Sequence, residues 1–394
     1  MKVAILRTKN RNDSISIGAL VIQDELERQS IEVVYCDYET AFNYTYVLIS
    51  MTSTADIFDI YAECKRHNWH RRTFMAYVGG FGCQNPVALA PFIDYAFFGR
   101  VDGIILNYIR NPDQYPDHSF RLSAPRPVTL RQVSQAYPHP VRYGKNNGRW
   151  QEKIIGCPFR CKFCHYSHSR KYIGDGGYMN DQLSGCPEVM LKDIVNIETK
   201  TGRLTAALDG YSERLRFMWG KKITWDMVEE ALDHLASFKG GTTFKMYNIH
   251  NLPTETDTDR TEFLDFWHEY VNCSRKADGY VMVDIFNTAF RPSINTPMER
   301  CEARLYPEAR PEILKLVKKN GFIIKYTTYT QGAWAHLYDL VSIRYSNNEV
   351  IDFVSNMGIK KGDKMIAEFN KHFDIAPYIR EYQPDESLPF KWIT

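Results

Sequence analysis

Gly156-Cys157-Pro158-Phe159-Arg160-Cys161-Lys162-Phe163-Cys164 is a C-x3-C-x2-C run closing the apolar pair Ile154-Ile155, which reads as the end of a strand. Three thiolates on one tight loop hold three corners of an iron–sulfur cluster, whereas a cluster bound wholly by protein, or a structural zinc, normally takes four ligands. The spacing makes Cys157, Cys161 and Cys164 metal ligands and leaves one iron open to bind a small molecule and pass it an electron. A zinc site would need a fourth ligand; His165 and His168 are the nearby candidates, and the second paired half of usual zinc sites is missing. The segment His165 to Lys171 is basic, aromatic and rich in hydroxyls, and Gly174 to Gly177 with Gly185 suggests a lid over the reactive centre.

The 394 residues suffice for two or three domains, and 44% hydrophobic content is ordinary for a globular chain. Net charge is +2, so bulk charge does not argue for nucleic acid or an anionic membrane surface. The nine cysteines, with no basic-then-apolar leader, point to a reducing cytoplasm. No apolar run approaches the roughly 20 residues of a membrane-spanning helix, so no membrane is expected.

Upstream of the cysteines, short apolar strands at Val3 to Leu6, Ile31 to Tyr35, Tyr46 to Ile49 and Phe74 to Val78 alternate with helical periodicity. The pattern predicts a doubly wound parallel sheet over residues 1–110, because each crossover carries a helix back over the sheet. Such sheets bind ligands beyond the carboxyl ends of their strands. Ser50, in the polar loop to Thr54, and the diglycine Gly79-Gly80 fall there. Residues 111–148, broken by Pro112, Pro116, Pro125, Pro127, Pro138 and Pro140, read as an extended linker.

Downstream, a strand from Leu204 to Leu208 ends in Asp209-Gly210-Tyr211-Ser212-Glu213-Arg214. In a β/α barrel these polar groups point toward the cluster end, although Ser212 and Glu213 also suit a helix cap. Further strands at Thr243 to Ile249 and Val281 to Phe286 lead into Asn251-Leu252-Pro253-Thr254-Glu255-Thr256 and Arg291 to Met298. Residues 149–300 are expected as a partial β/α barrel. Residues 301–394 form a C-terminal extension, mostly helical, with a helix from Pro311, a strand at Phe322 to Thr327 and helices at Val350 to Met357 and Lys364 to Phe373. Trp334, His336 and Tyr338 are candidates for packing or for lining a substrate pocket.

The cysteine run, with Phe163 before the third cysteine, resembles that of the radical S-adenosylmethionine (SAM) enzymes. The Ser-Glu-Arg, Asn-Leu-Pro-Thr-Glu-Thr and Pro-x-x-x-Thr-Pro-like stations resemble elements spread along the same catalytic domain. The N-terminal part, through Ser50 to Thr54, Gly79-Gly80, Asn85-Pro86 and Phe97 to Arg100, resembles the cobalamin-binding domain that precedes the barrel in one branch. The resemblance implies a [4Fe-4S] cluster, SAM held by Phe163, Asp209, Ser212 and Glu213, and cobalamin at Ser50, Gly79 and Gly80. It also implies a 5′-deoxyadenosyl radical that takes a hydrogen from substrate, a low-potential donor such as flavodoxin or ferredoxin, and methyl transfer if cobalamin is bound. Arg100 departs from the acidic turn usual in that branch, no Asp-x-His-x-x-Gly signature offers a cobalt ligand, and only 47 residues separate Cys164 from Ser212. Two other readings stay open. One is a methylthiotransferase-like enzyme with a second cluster on Cys36, Cys64 and Cys83; the other is a non-catalytic module binding zinc and nucleic acid. The substrate, whether small molecule, peptide or nucleic acid, is not encoded in any motif.

Overall fold

Five short strands, β1 (Lys2–Leu6), β2 (Glu32–Cys36), β3 (Tyr46–Ser50), β4 (Met75–Gly79) and β5 (Tyr95–Phe97), lie parallel in the order β2-β1-β3-β4-β5. The computed structural model describes residues 1–8, 15–143, 148–157, 159–174, 191–198, 202–272, 279–305, 332–358 and 364–394. The strands are apolar on both faces, with Val3 to Leu6 and Val47 to Ile49 all buried, as a sheet covered on both sides requires. Helices α1 (Ile17–Arg28), α2 (Asp56–Arg66) and α3 (Ile105–Arg110) supply the cover. Ser16 caps α1 by accepting the Ala19 amide at 3.1 Å, and α2 sets Asp56 and Asp59 at its positive end and Lys65 and Arg66 at its negative end. The chain leaves β1 toward β2 on one side and returns to β3 on the other, which opens a crevice at the carboxyl edge between β1 and β3.

The segment read as a linker is laid onto this sheet instead. β6 (Ser119–Arg121) pairs antiparallel with β5, and β7 (Val141–Tyr143) pairs with β8 (Gly148–Trp150). Pro112 opens a single 3-10 turn, Pro112–Gln114, and the later prolines oppose longer helix but leave extended backbone free to add at an edge. Arg131 then locks against Gly99 through its amide to the Phe98 carbonyl and its carbonyl to the Arg100 amide, both at 3.0 Å.

A second parallel sheet, β9 (Arg203–Ala207), β10 (Gly240–His250) and β11 (Gly279–Ala289), has β10 at its centre. The helices α5 (Glu213–Met218), α6 (Trp225–Ala236) and α7 (Asp257–Asn272) cross between its strands, and Val228, Leu232 and Leu235 of α6 meet Phe244, Val283, Phe263 and Trp267 in one apolar core. These β/α units are the part of the expected barrel that the described residues contain. Ile155, expected to end a barrel strand, makes only a two-bond antiparallel bridge with Ile173. A short helix, α4 (His165–Ser169), starts directly after Cys164.

The C-terminal part is not an appendage. Helices α8 (Ala333–Arg344), α9 (Asn348–Met357), α10 (Lys364–Phe369) and α11 (Ala376–Ile379) share one core with the first sheet: Leu337, Leu340 and Val354 are buried with Ile57, Phe58 and Val78. Asn85 clamps the two together. Its amide donates to the Ile343 and Tyr345 carbonyls at 3.2 and 3.1 Å, its own carbonyl accepts the Tyr345 hydroxyl at 2.6 Å, and its side-chain oxygen accepts the Trp392 indole at 3.0 Å. Trp334, His336 and Tyr338 are buried packing residues of α8. The expected helix from Pro311 and strand at Phe322 to Thr327 lie outside the described residues. Among the described residues no helix is long and apolar enough to cross a membrane.

Candidate functional site

The cysteine loop is shaped by its own backbone. Gly156 sits at φ +70°, where a Cβ would press on the Arg170 and Lys171 carbonyls at 3.0 and 3.1 Å, so only glycine lets the loop turn here. The Cys164 amide then donates to the Cys161 carbonyl at 3.0 Å, and the Lys162 amide donates to the Trp219 carbonyl at 2.9 Å. His168 Nε2 meets the Cys161 carbonyl at 3.1 Å, and the Ser167 hydroxyl donates to the Cys164 carbonyl at 3.0 Å. The three thiols are free, Cys161 buried and Cys157 and Cys164 half-buried. Burial pushes the Cys161 thiol up to about 12 and raises that of Cys157, while Lys221 beside them pulls the other way.

The stations that are far apart in sequence meet here. Phe163 and Trp219 each pack against the cluster of Leu252, Phe290 and Met298, which follow the carboxyl ends of β10 and β11. His165 Nδ1 lies 2.7 Å from the Ile294 carbonyl, and burial holds its ring neutral with a pKa near 4.

Asp209 stands just past the carboxyl end of β9 in a left-handed conformation, φ +58°, and pairs with Lys221. Both lie close enough to Cys157 and Cys161 to act on their titration. Ser212 and Glu213 are engaged in the scaffold. The Ser212 hydroxyl is fully buried, accepts the Leu215 amide at 3.1 Å as the cap of α5 and donates to Asp259. Glu213 accepts the Trp225 amide at 2.5 Å. Neither was distinguishable from a ligand in sequence, because a cap and a ligand use the same atoms. Sequence reading missed the Asn248–Asn287 pair, in register on β10 and β11, whose side chains bond at 2.9 Å while Asn248 accepts the Gly210 amide at 2.7 Å. Alternation along two parallel strands would have paired them.

Asn251 and Thr254 hold φ at +57° and +67°, the geometry glycine usually supplies. A β-branched residue is strained there, so Thr254→Gly should raise stability by about 0.5–1 kcal/mol, after glycine's greater loss of chain entropy, in a urea titration.

Ser50, Gly79 and Gly80 line a cavity of about 540 Å³ over the carboxyl edge of the first sheet. The volume is in the usual range of small-molecule and cofactor sites, roughly 300–1,000 Å³. Its floor includes Ile5, Leu48 and Val78, its far wall is α4 with His165, Tyr166 and Arg170, and Arg100 and Glu152 close one side. Gly80, at φ +105°, is fixed by packing: a Cβ would stand 2.4 Å from the Met51 carbonyl oxygen. Ser50 accepts the Ser16 hydroxyl at 2.9 Å. Phe81, just past the diglycine, reaches α4, its ring 5.1 Å from His165 and 6.0 Å from Tyr166. The cavity and the cysteine loop therefore share one short helix. Phe81 and Glu152 carried no signal in the sequence, whereas Tyr166 belongs to the aromatic, basic segment that follows the cysteines.

Two groups can be tested against these residues. Three free thiols on one loop are the donor set that a cluster with an open iron takes, whereas a structural zinc takes four ligands. The cavity fits a flat cofactor with an apolar body and polar edges, placed at the crevice where such sheets bind ligands. Cys36, Cys64 and Cys83 are each buried in the core of the first sheet, and burial drives the Cys36 thiol to about 12. Of the expected lid, only Gly174 falls among the described residues.

No family model matches the chain, and no curated protein does. Among solved structures, similarity is found to the radical SAM methyltransferase TsrM of Kitasatospora setae with cobalamin and a [4Fe-4S] cluster bound. Identity is 13%, covering 76% of this chain and 74% of that one, at a TM-score of 0.38. The same enzyme with tryptophan and a SAM analog bound aligns at 14% identity over 87% and 65% of the two chains, TM-score 0.32. The cobalamin-dependent SAM radical enzyme OxsB, with aqua-cobalamin bound, aligns at 12% over 88% and 52%, TM-score 0.28. The chain thus spans between about half and three quarters of the length of these chains.

Proposed function

We propose that the chain is a radical SAM enzyme with a second cofactor, cobalamin, over its first sheet. The observation that carries this reading is the shared helix α4, which joins a loop of three free cysteines to a cofactor-sized cavity. Cys157, Cys161 and Cys164 would hold a [4Fe-4S] cluster. Bound there, SAM supplies, on one-electron reduction, a 5′-deoxyadenosyl radical able to take a hydrogen from an unactivated carbon, and cobalamin supplies a methyl group for the product.

The protein's part is positioning and exclusion. Phe163, Leu252, Phe290 and Met298 form a dry wall beside the cysteines, where a radical is kept from water. Asp209 and Lys221 place one charge of each sign next to the loop, suited to orienting a zwitterionic ligand. Ser50 and Gly79 offer a hydroxyl and a bare backbone to the polar edge of a cofactor. The electron comes from a low-potential flavodoxin or ferredoxin, and the site of action is the cytoplasm.

The test is anaerobic reconstitution with iron and sulfide, then reduction with SAM present and quantification of 5′-deoxyadenosine. Wild type should take up about four irons, turn brown and release the nucleoside. Cys161→Ala should lose release by at least a hundredfold. A colourless chain that binds one zinc tightly would sink the proposal and favour the metal-binding module.

A further inference from the structure

The wall that α4 gives to the cavity holds a cation with no anion to meet. Arg170 directly follows the last residue of α4 and lines the cavity. Its guanidinium sits 4.8 Å from the centre of the Tyr166 ring and 5.5 Å from that of Phe81. The backbone on either side is pinned by Gln132, whose side-chain amide donates to the Ser169 carbonyl at 2.9 Å and whose side-chain oxygen accepts the Lys171 amide at 2.8 Å. Among the described residues no ion pair or hydrogen bond engages the Arg170 side chain. Ser169 lines the same cavity, and its hydroxyl is buried without a hydrogen-bond partner. Such a hydroxyl is destabilising, and a ligand that bonds it relieves the cost.

The charge of the cavity is unbalanced in the same direction. Three guanidinium groups line it, those of Arg100, Arg131 and Arg170, against two carboxylates, those of Asp102 and Glu152. Arg100 takes both carboxylates, and Arg131 donates to the Arg100 and Asp102 carbonyls. The positive charge that faces the cavity without a counter-ion is therefore at Arg170.

We propose that Arg170 and Ser169 bind an anionic oxygen group, carboxylate or phosphate, on the substrate. The anion site stands on this geometry alone; that its ligand is the substrate rests on the radical SAM reading above. A cofactor over the sheet leaves the α4 side of the cavity to whatever lies between it and the cysteines. α4 is 5 residues long, about 7.5 Å at the usual rise, so a small molecule anchored by Arg170 at its end reaches back to the cysteine loop at its start. A guanidinium presents paired N–H donors that match the edge of a carboxylate or phosphate, and the two rings steady its face without taking those donors.

The experiment is a thermal-shift titration of the reconstituted full chain at fixed ionic strength, with and without cobalamin. Benzoate and phenyl phosphate are the anionic probes and benzamide the neutral one. With cobalamin bound, at least one anion should raise Tm saturably, and benzamide should not. Arg170→Gln should weaken the anion at least tenfold and Ser169→Ala about threefold. Arg170→Lys should keep part of the response, and Lys371→Glu, a charge change on the C-terminal part, all of it. No saturable shift with either anion, or an equal shift with benzamide, would overturn the proposal. So would an Arg170→Gln chain that binds the anion as wild type does. If Arg170→Gln fails to fold, the wild-type comparison of anion with benzamide and the Ser169→Ala titration still decide. The phosphodiester of the cofactor itself is the competing source. Should cobalamin abolish the anion shift while cobinamide, which lacks the nucleotide tail, leaves it in place, the site belongs to that tail and the substrate assignment is overturned. A chain that takes up neither cluster nor cobalamin but keeps the anion shift would sink the radical SAM reading and leave the anion site standing.

Discussion

An Arg100→Met chain should be about 3–5 kcal/mol less stable than wild type, seen as a fall in the urea midpoint at an unchanged slope. The Arg100 guanidinium donates to both oxygens of Asp102 at 2.7 and 3.0 Å and to both oxygens of Glu152 at 2.7 and 2.8 Å. Glu152 also accepts the Tyr137 amide at 2.8 Å. Burial works against the guanidinium charge, and the two carboxylates outweigh it and hold its pKa above the ordinary value. Methionine would fill the space but leave two nearly buried carboxylates facing each other without a cation. Removing Glu152 as well, in Arg100→Met/Glu152→Leu, should recover stability, because half of the uncompensated charge goes with it. A double-mutant cycle should give a coupling of at least 1 kcal/mol; simple additivity would show that the groups act independently. Because Glu152 lies five residues before Cys157, the Arg100→Met variant should also take up less iron on reconstitution.

Acid should weaken the fold well above the pH at which surface carboxylates titrate. His250, at the end of β10, and His336, on α8, are both buried, and burial lowers each from 6.5 to about 4. His336 Nε2 meets the Phe290 carbonyl at 3.0 Å. The folded state therefore binds fewer protons than the unfolded chain between these values. The stability that neutral rings confer is complete above pH 6.5, falls as pH drops, and is gone below about 4. A shift of this size corresponds to about 3 kcal/mol for each ring, less when both must charge together. Glu25 and Glu255 run the opposite way, since burial raises both, so the difference between variants is the clean measure. His336→Asn should flatten the urea midpoint between pH 6.5 and 4.5 relative to wild type. An equally steep fall in both proteins would remove His336 from the account.

The parts legible in the sequence are those set by local chemistry. The cysteine spacing, the alternation of apolar strands with helical periodicity, and the placement of Ser50 and Gly79-Gly80 at a carboxyl edge needed no knowledge of distant partners. What was not legible depends on such partners. Ser119–Arg121 is a strand because Tyr95–Phe97 offers an open edge, and nothing in a proline-rich segment announces that. Trp334 and Tyr338 carry the same apolar signal whether they line a substrate pocket or cover a sheet some 280 positions upstream; the structure assigns them to the sheet. Ser212 and Glu213 illustrate a different limit. Their atoms suit a helix start and a ligand equally, and only Asp259 and Trp225, brought in from later segments, show where the bonds go.

The clamp at Asn85 has a consequence for the order in which this chain is made. A ribosome releases the first sheet early, with its apolar α2 face and the Asn85 amide still lacking the partners that arrive at residues 343–345 and 392. Closing so long a loop is slow, and the early half must wait through most of translation with part of its core bare. The exposed interval, rather than the final stability, then sets how much of the newly made protein is lost to aggregation. Slower elongation through residues 90–330 would lengthen that interval, and co-expressed holdase chaperones would be expected to shelter it.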